Sequence, residues 1–136
     1  MKVAIFGINN KNTVNKYKRF AKSIVAAVGN KQLIKNADVL NIVFVNDKYI
    51  KKLNKQFLKK DRPTDVLAFP MKINSDKTPS LIDDNVFGEI YISKDRAKKQ
   101  AKALKIKVSD EIYNLIKHGI LHLLGYSHQE MRLIKE

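Results

Sequence analysis

The hydrophobic and polar positions of this chain change period several times, and each change marks an element. Lys2 to Ile8 sets Val3, Ile5 and Gly7 on one side, which predicts a short strand. From Thr13 the spacing becomes helical: Val14, Tyr17, Ala21, Ile24, Val25 and Val28 share a face, and Gly29-Asn30 supplies a stop. Val39 to Val45 (VLNIVFV) is a β-branched run, expected as a buried strand. Asn46-Asp47 then caps a helix that puts Ile50, Leu53 and Phe57 on one side. Beyond Pro63, Thr64 to Phe69 reads as a strand stopped by Pro70.

Residues 72–85 are polar, contain Pro79 and several turn formers, and read as a loop. Val86 to Ile92 (VFGEIYI) alternates as a further strand. Ser93 caps a helix with Ala97, Ala101, Leu104 and Val108 on its apolar face and Lys98, Lys102 and Lys105 beside it. Ser109 is expected to cap a last helix to Leu124, with Ile112, Leu115, Ile116, Gly119, Ile120 and Leu123 facing the core. Together these elements predict a small single α+β domain over residues 1–136, a mixed sheet of about four strands packed with helices.

Composition removes several function classes. No cysteine is present among 136 residues, which excludes a disulfide partner, a thiolate zinc finger, an iron–sulfur cluster and a cysteine nucleophile. No apolar run approaches a membrane span, and the N-terminal stretch turns polar too early for a signal peptide, so a soluble, cytoplasmic protein is expected. Charge adds a positive indication: 27 Lys and Arg against 13 Asp and Glu leave a net +14, a field that attracts polyanions. It is uneven. Residues 48–62 hold seven basic side chains against Asp61, residues 96–109 hold six against none, and residues 63–95 carry six acids and three bases. Solvated lysine-rich faces account for such runs as readily as RNA does.

The sharpest signal is in the histidines: all three of the chain fall within His118-Gly-Ile-Leu-His122-Leu-Leu-Gly125-Tyr-Ser-His128. A spacing of four on a helix puts His118 and His122 one turn apart, at the border of the apolar face, where two imidazoles can converge on one ion. Gly125 can take a positive φ, end the helix and return His128 toward the same ion. Three imidazoles leave a fourth tetrahedral position for water, the pattern of a catalytic zinc site. A lone histidine at a core edge is more often simply hydrogen-bonded; three in this array point to a metal at the end of the C-terminal helix. The H-x3-H-x5-H spacing equals that of metzincin peptidases, but the glutamate those enzymes place after the first histidine is here Gly119. Loss of such a base typically forfeits about 10²–10⁴-fold in rate, which disfavours peptidase chemistry. Metal-assisted phosphodiester hydrolysis depends less on a protein base and suits the basic surface.

The same segment resembles the HGxLHLxGYDH signature of the YbeY family, bacterial zinc-dependent endoribonucleases of ribosomal RNA maturation. Leu53-Asn54 with Pro63-Thr-Asp-Val-Leu-Ala-Phe-Pro70 is similar to the family's LN…PTDVLSFP block, and Gly88-Glu-Ile-Tyr-Ile-Ser93 to its GDIxIS strand. The blocks keep family order over residues 53–128. The resemblance implies one Zn²⁺ on His118, His122 and His128. It also implies a single-strand-preferring cleavage at the 3′ end of small-subunit ribosomal RNA, in the context of ribosome assembly. Two positions depart from the pattern. Ser127 stands where the family has aspartate; it can form a capping box with Glu130 but cannot carry charge beside the metal. Leu58 stands where the family tends to have an arginine, whose planar fork suits phosphate.

The catalytic base is not identified; Asp65 and Ser127 are candidates, and a strand-entry turn explains Asp65 equally well. Lys59, Lys60 and Arg62 are candidates to replace the missing arginine, and Lys98, Lys102 and Lys105 to track an RNA backbone. Glu89 is either a pocket carboxylate or the solvent-facing neighbour of Ile90. Phe87 and Tyr91 are either core residues or rings that stack on unpaired bases. An RNA- or ribosome-binding factor with a structural metal is the alternative to the enzyme, and a metal hydrolase of peptides or small molecules is a third reading that Gly119 opposes.

Overall fold

The computed structural model describes residues 1–28, 38–71 and 86–125. Among these residues four strands and four helices follow one another as β1 (Lys2–Phe6), α1 (Lys11–Val28), β2 (Val39–Val45), α2 (Asp47–Leu58), β3 (Val66–Pro70), β4 (Val86–Ser93), α3 (Lys94–Leu104) and α4 (Val108–Leu123). The strands form one mixed sheet in the order β1-β2-β4-β3; β1, β2 and β4 are parallel and β3 runs antiparallel at the edge. The expected α+β class and strand number hold. Pro70, expected to stop the strand after Phe69, is instead the last residue of β3; it lacks a ladder donor, and an edge strand tolerates it. The loop expected over residues 72–85, the stop at Gly29-Asn30, and Ser127, His128 and Glu130 lie outside the described residues.

Register divides the sheet into two unlike faces. Leu40, Ile42 and Phe44 of β2 stand beside Gly88, Ile90 and Ile92 of β4, and with Val3 and Ile5 they form the floor on which α1 and α4 pack. Tyr17 of α1 meets Phe44 with ring centroids 5.2 Å apart, and Ile112, Ile116, Ile120 and Leu123 of α4 complete this core. Burial of that many branched side chains, each contributing about 1.5–3 kcal/mol, dominates the stability of the domain's main layer. Among the described residues, α2 packs on the opposite side, where Ile50 and Leu67 are buried.

Several boundaries differ from those expected, each for a local reason. β1 stops at Phe6, and β4 runs one residue further, to Ser93. β3 starts at Val66 rather than Thr64, because the Asp65 carboxylate accepts the Val66 N–H at 2.8 Å and turns the chain into the strand. Helix α1 begins at Lys11, two residues before Thr13, because the Asn10 side chain accepts the Thr13 N–H at 3.1 Å and acts as the cap. Asn46 caps α2 as expected, accepting from the Tyr49 N–H at 2.8 Å, and Ser93 caps α3. Ser109 does not cap α4: Lys107 occupies that position without a side-chain bond, and Ser109 lies inside the first turn.

Two expected apolar faces are also revised. Phe57 is 56% exposed while Asn54 is buried, its amide donating to the Arg62 carbonyl at 2.9 Å to tie the end of α2 to the following loop. Leu104 and Val108 are exposed because Lys105, in the left-handed region at φ 56°, ends α3 and turns the chain away before either can reach the core.

Candidate functional site

The histidine helix approaches the sheet more closely than an ordinary side chain would allow. At Gly119 a Cβ would sit 2.8 Å from Cγ2 of Ile90 and 2.9 Å from its Cδ1, so the position after His118 faces β4 and has no room for a glutamate. The absence of a metzincin-type base there is thus built into the packing. His118 and His122 flank this contact, half-buried on α4. Their ring centroids are 4.8 Å apart and their planes tilted by 46°. Gly125 adopts φ 86° directly after the helix, as the turn signal required, and its N–H donates to the His122 carbonyl at 3.0 Å.

Two imidazoles side by side near a helix end have the donor chemistry and spacing that zinc accepts. The third candidate ligand, His128, and the candidate base Ser127 lie outside the described residues. Among the described residues no group of three metal-ligating side chains converges.

A carboxylate that the sequence did not single out belongs to the same helix stripe. Glu111, Asn114, His118 and His122 stand at i, i+3, i+7 and i+11 on α4, so a carboxylate and an amide lie in file with the two imidazoles. Glu111 is only 6% exposed. Burial pushes its carboxyl above the usual range; the bond donated by the Asn114 amide at 3.3 Å opposes that shift, and the nearby Asp65 carboxylate adds to it. Its sequence signal was ambiguous, since an acid in the first turn of a helix normally reads as a partner of the helix dipole.

Asp65 is brought to this end of the molecule. Its carboxylate accepts from the Val66 N–H at 2.8 Å, from the Gln100 amide of α3 at 3.3 Å and from the Thr64 hydroxyl at 3.4 Å. Its carbonyl accepts the Ser93 N–H at 2.9 Å. The strand-entry role is therefore filled, and the carboxylate also joins β3 to α3 and lies near Glu111.

The basic candidates fall in two places. Lys59, Lys60 and Arg62 are exposed on the loop after α2, where Lys59 takes the left-handed conformation at φ 57°. Leu58, the last residue of α2, is itself half-exposed. Lys98, Lys102 and Lys105 are exposed along α3. Of the aromatic candidates, Phe87 is buried in the main core, whereas Tyr91 is partly exposed on the other sheet face. There its hydroxyl donates to Glu89 at 3.3 Å, so Glu89 is neither isolated nor a simple solvent-facing residue.

A four-stranded mixed sheet with a histidine-bearing helix seated on its core face defines a small α+β protein with two neighbouring imidazoles on that helix. The chain belongs to the Endoribonuclease YbeY family, whose model matches residues 6–136. It is 39% identical over 112 residues to the Endoribonuclease YbeY of Persephonella marina, covering 82% of this chain and 70% of that one. It is 36% identical over 116 residues to the Aquifex aeolicus protein of the same name, covering 85% and 70%. A solution structure of a Thermotoga maritima protein superposes with a TM-score of 0.57 at 31% identity, covering 93% of this chain and 74% of that one. No helix among the described residues is long and apolar enough to cross a membrane.

Proposed function

We propose that this chain is a zinc-dependent endoribonuclease that acts on single-stranded segments of ribosomal RNA, at the 3′ end of the small-subunit RNA, during ribosome assembly in the cytoplasm. The observation that carries this reading is the side-by-side placement of His118 and His122, 4.8 Å apart, in a chain that belongs to an endoribonuclease family. With His128 they would hold one Zn²⁺, which when bound supplies Lewis acidity toward a phosphoryl oxygen and acidifies water. The chain's own residues do the remaining work. The packing of Gly119 against Ile90 fixes the rotation of α4 and so the direction in which both imidazoles point. The buried Glu111, whose carboxyl burial pushes above the usual range, lies on the same stripe of α4 but in its first turn, two to three turns before the imidazoles. The net charge of +14, with Lys59, Lys60 and Arg62 on one loop and Lys98, Lys102 and Lys105 on one helix, favours entry of an RNA backbone.

Leu58 favours a second reading, an RNA- or ribosome-binding assembly factor with a structural metal, because a leucine at the end of α2 offers no fork to a phosphate. Incubation of the purified protein with structured ribosomal RNA, with and without chelator, separates the two. The enzyme predicts discrete cleavage that chelator and His122→Ala each abolish; binding without any cleavage in the metal-loaded protein selects the assembly factor.

A further inference from the structure

Among the described residues, the sheet face turned away from α4 keeps several side chains partly or largely exposed, and its composition is unusual for a solvated surface. Register places Phe6, Val43, Tyr91 and Leu67 in one row across the four strands, and Ala4, Asn41, Glu89 and Phe69 in the next. Leu67, at one end of the first row, is buried. Beyond it a file of rings remains: Phe57 meets Phe69 edge-on at 5.3 Å, and Phe69 meets Tyr91 edge-on at 5.8 Å. Phe57 is 56% exposed and Phe6, at the far strand, 51%. None of these rings belongs to the main core.

The polar groups of this face are as specific as its rings. Glu89 stands in the middle, accepting from the Tyr91 hydroxyl at 3.3 Å and from the Asn41 amide at 3.5 Å. The rim is cationic. Lys2 lies at one end of β1, the Lys94 ammonium reaches the Gly7 carbonyl at 3.5 Å just past Phe6, and Lys52 follows Tyr49 by three residues on α2. Cations outside, rings inside and a carboxylate with an amide at the centre match one kind of occupant. Phosphates pair with the rim and are repelled from Glu89, bases stack on the rings, and exocyclic amines of the bases find the carboxylate as acceptor.

We propose that this second sheet face binds unpaired RNA bases, with Tyr91, Phe69, Phe57 and Phe6 as stacking rings and Lys2, Lys52 and Lys94 holding the backbone. It is a substrate-holding surface separate from the core face on which the histidine helix packs, and it rests on the reading of RNA as the substrate.

The test is fluorescence anisotropy with a labelled mixed-sequence RNA single strand of about 12 nucleotides, and with a duplex of equal length, in chelator so that nothing is cleaved. Phe57→Ser and Phe6→Ser, both at exposed positions, are expected to weaken single-strand binding by about fivefold or more and to leave duplex binding within about twofold. Tyr91→Phe keeps the single-strand affinity and Tyr91→Leu loses it while duplex affinity and the thermal unfolding midpoint stay near the parent's, a combination that a purely structural role for the ring does not produce. Lys52→Gln flattens the dependence of log affinity on log salt by about 0.7. Equal losses for strand and duplex, or single-strand affinity indifferent to all three ring positions, overturn the proposal. The two readings fail separately. Ring-dependent binding by a chain that cleaves nothing refutes the nuclease alone, and chelator-sensitive cleavage with ring-independent binding refutes this surface alone.

Discussion

Gly119 of α4 and Ile90 of β4 are in such close approach that the first carbon of any side chain at 119 would fall within 2.9 Å of two Ile90 carbons. That contact sets both the depth of the helix and the orientation of the imidazoles on either side of it. Ile90 is fully buried and cannot swing away. Gly119→Ala is therefore expected to destabilise the protein by about 1–2 kcal/mol, overpacking outweighing a gain of about 1 kcal/mol in helix propensity. Thermal unfolding checks it; an unchanged or raised Tm would show that the sheet gives way freely.

Asn54 makes a comparable prediction at the other end of the molecule. Buried and bonded to the Arg62 carbonyl at 2.9 Å, it holds the loop that carries Lys59, Lys60 and Arg62. Asn54→Ala leaves that carbonyl without its donor and should cost about 1–3 kcal/mol in denaturant unfolding. Leu53→Ala at the neighbouring, less buried position is the comparison that isolates the hydrogen bond from lost packing.

Glu111 gives a prediction with a definite pH sign. Its carboxyl is raised in the folded protein, so the folded state holds the proton more tightly than the unfolded one. Ionisation then works against folding: stability present below the unfolded carboxyl range is lost as pH rises through the folded value. Glu111→Gln, which can still accept from Asn114, should raise the Tm at neutral pH in chelator and make no difference near pH 4. A variant less stable than the parent at neutral pH contradicts the assigned sign.

Leu58→Arg tests the departure from the family pattern. The position is half-exposed, so stability should change by no more than about 0.5 kcal/mol. If a phosphate-binding fork is what the site lacks, cleavage of ribosomal RNA should rise by about tenfold, the worth of one charge-assisted bond. Cleavage unaffected by this substitution would show that Lys59, Lys60 or Arg62 already serves the phosphate.

Much of this was legible in the residues, for identifiable reasons. The runs in β2 and β4 and the face of α1 carry strong periodicity because they line one core, and the Asn46 and Ser93 caps announce the helices that follow them. Boundaries failed where two residue types compete for one role: Asn10 rather than Thr13 begins α1, and Lys107 rather than Ser109 begins α4. Lysines in the left-handed conformation at 59 and 105 end helices without the glycine that would have signalled it, which is why Leu104 and Val108 were misplaced in the core. The histidine pair was readable because four residues make one helical turn. Glu111 was not, since its burial depends on how α4 seats against the rest of the fold.

On the proposed reading His118, His122 and His128 share one zinc ion. The measurement to make is elemental analysis of protein purified without chelator, comparing the parent with His118→Ala, His122→Ala and His128→Ala. About one zinc per chain in the parent, and loss of most of it in each variant, is the predicted result. Zinc retained in full by any one of the three, or a parent free of metal, would contradict it.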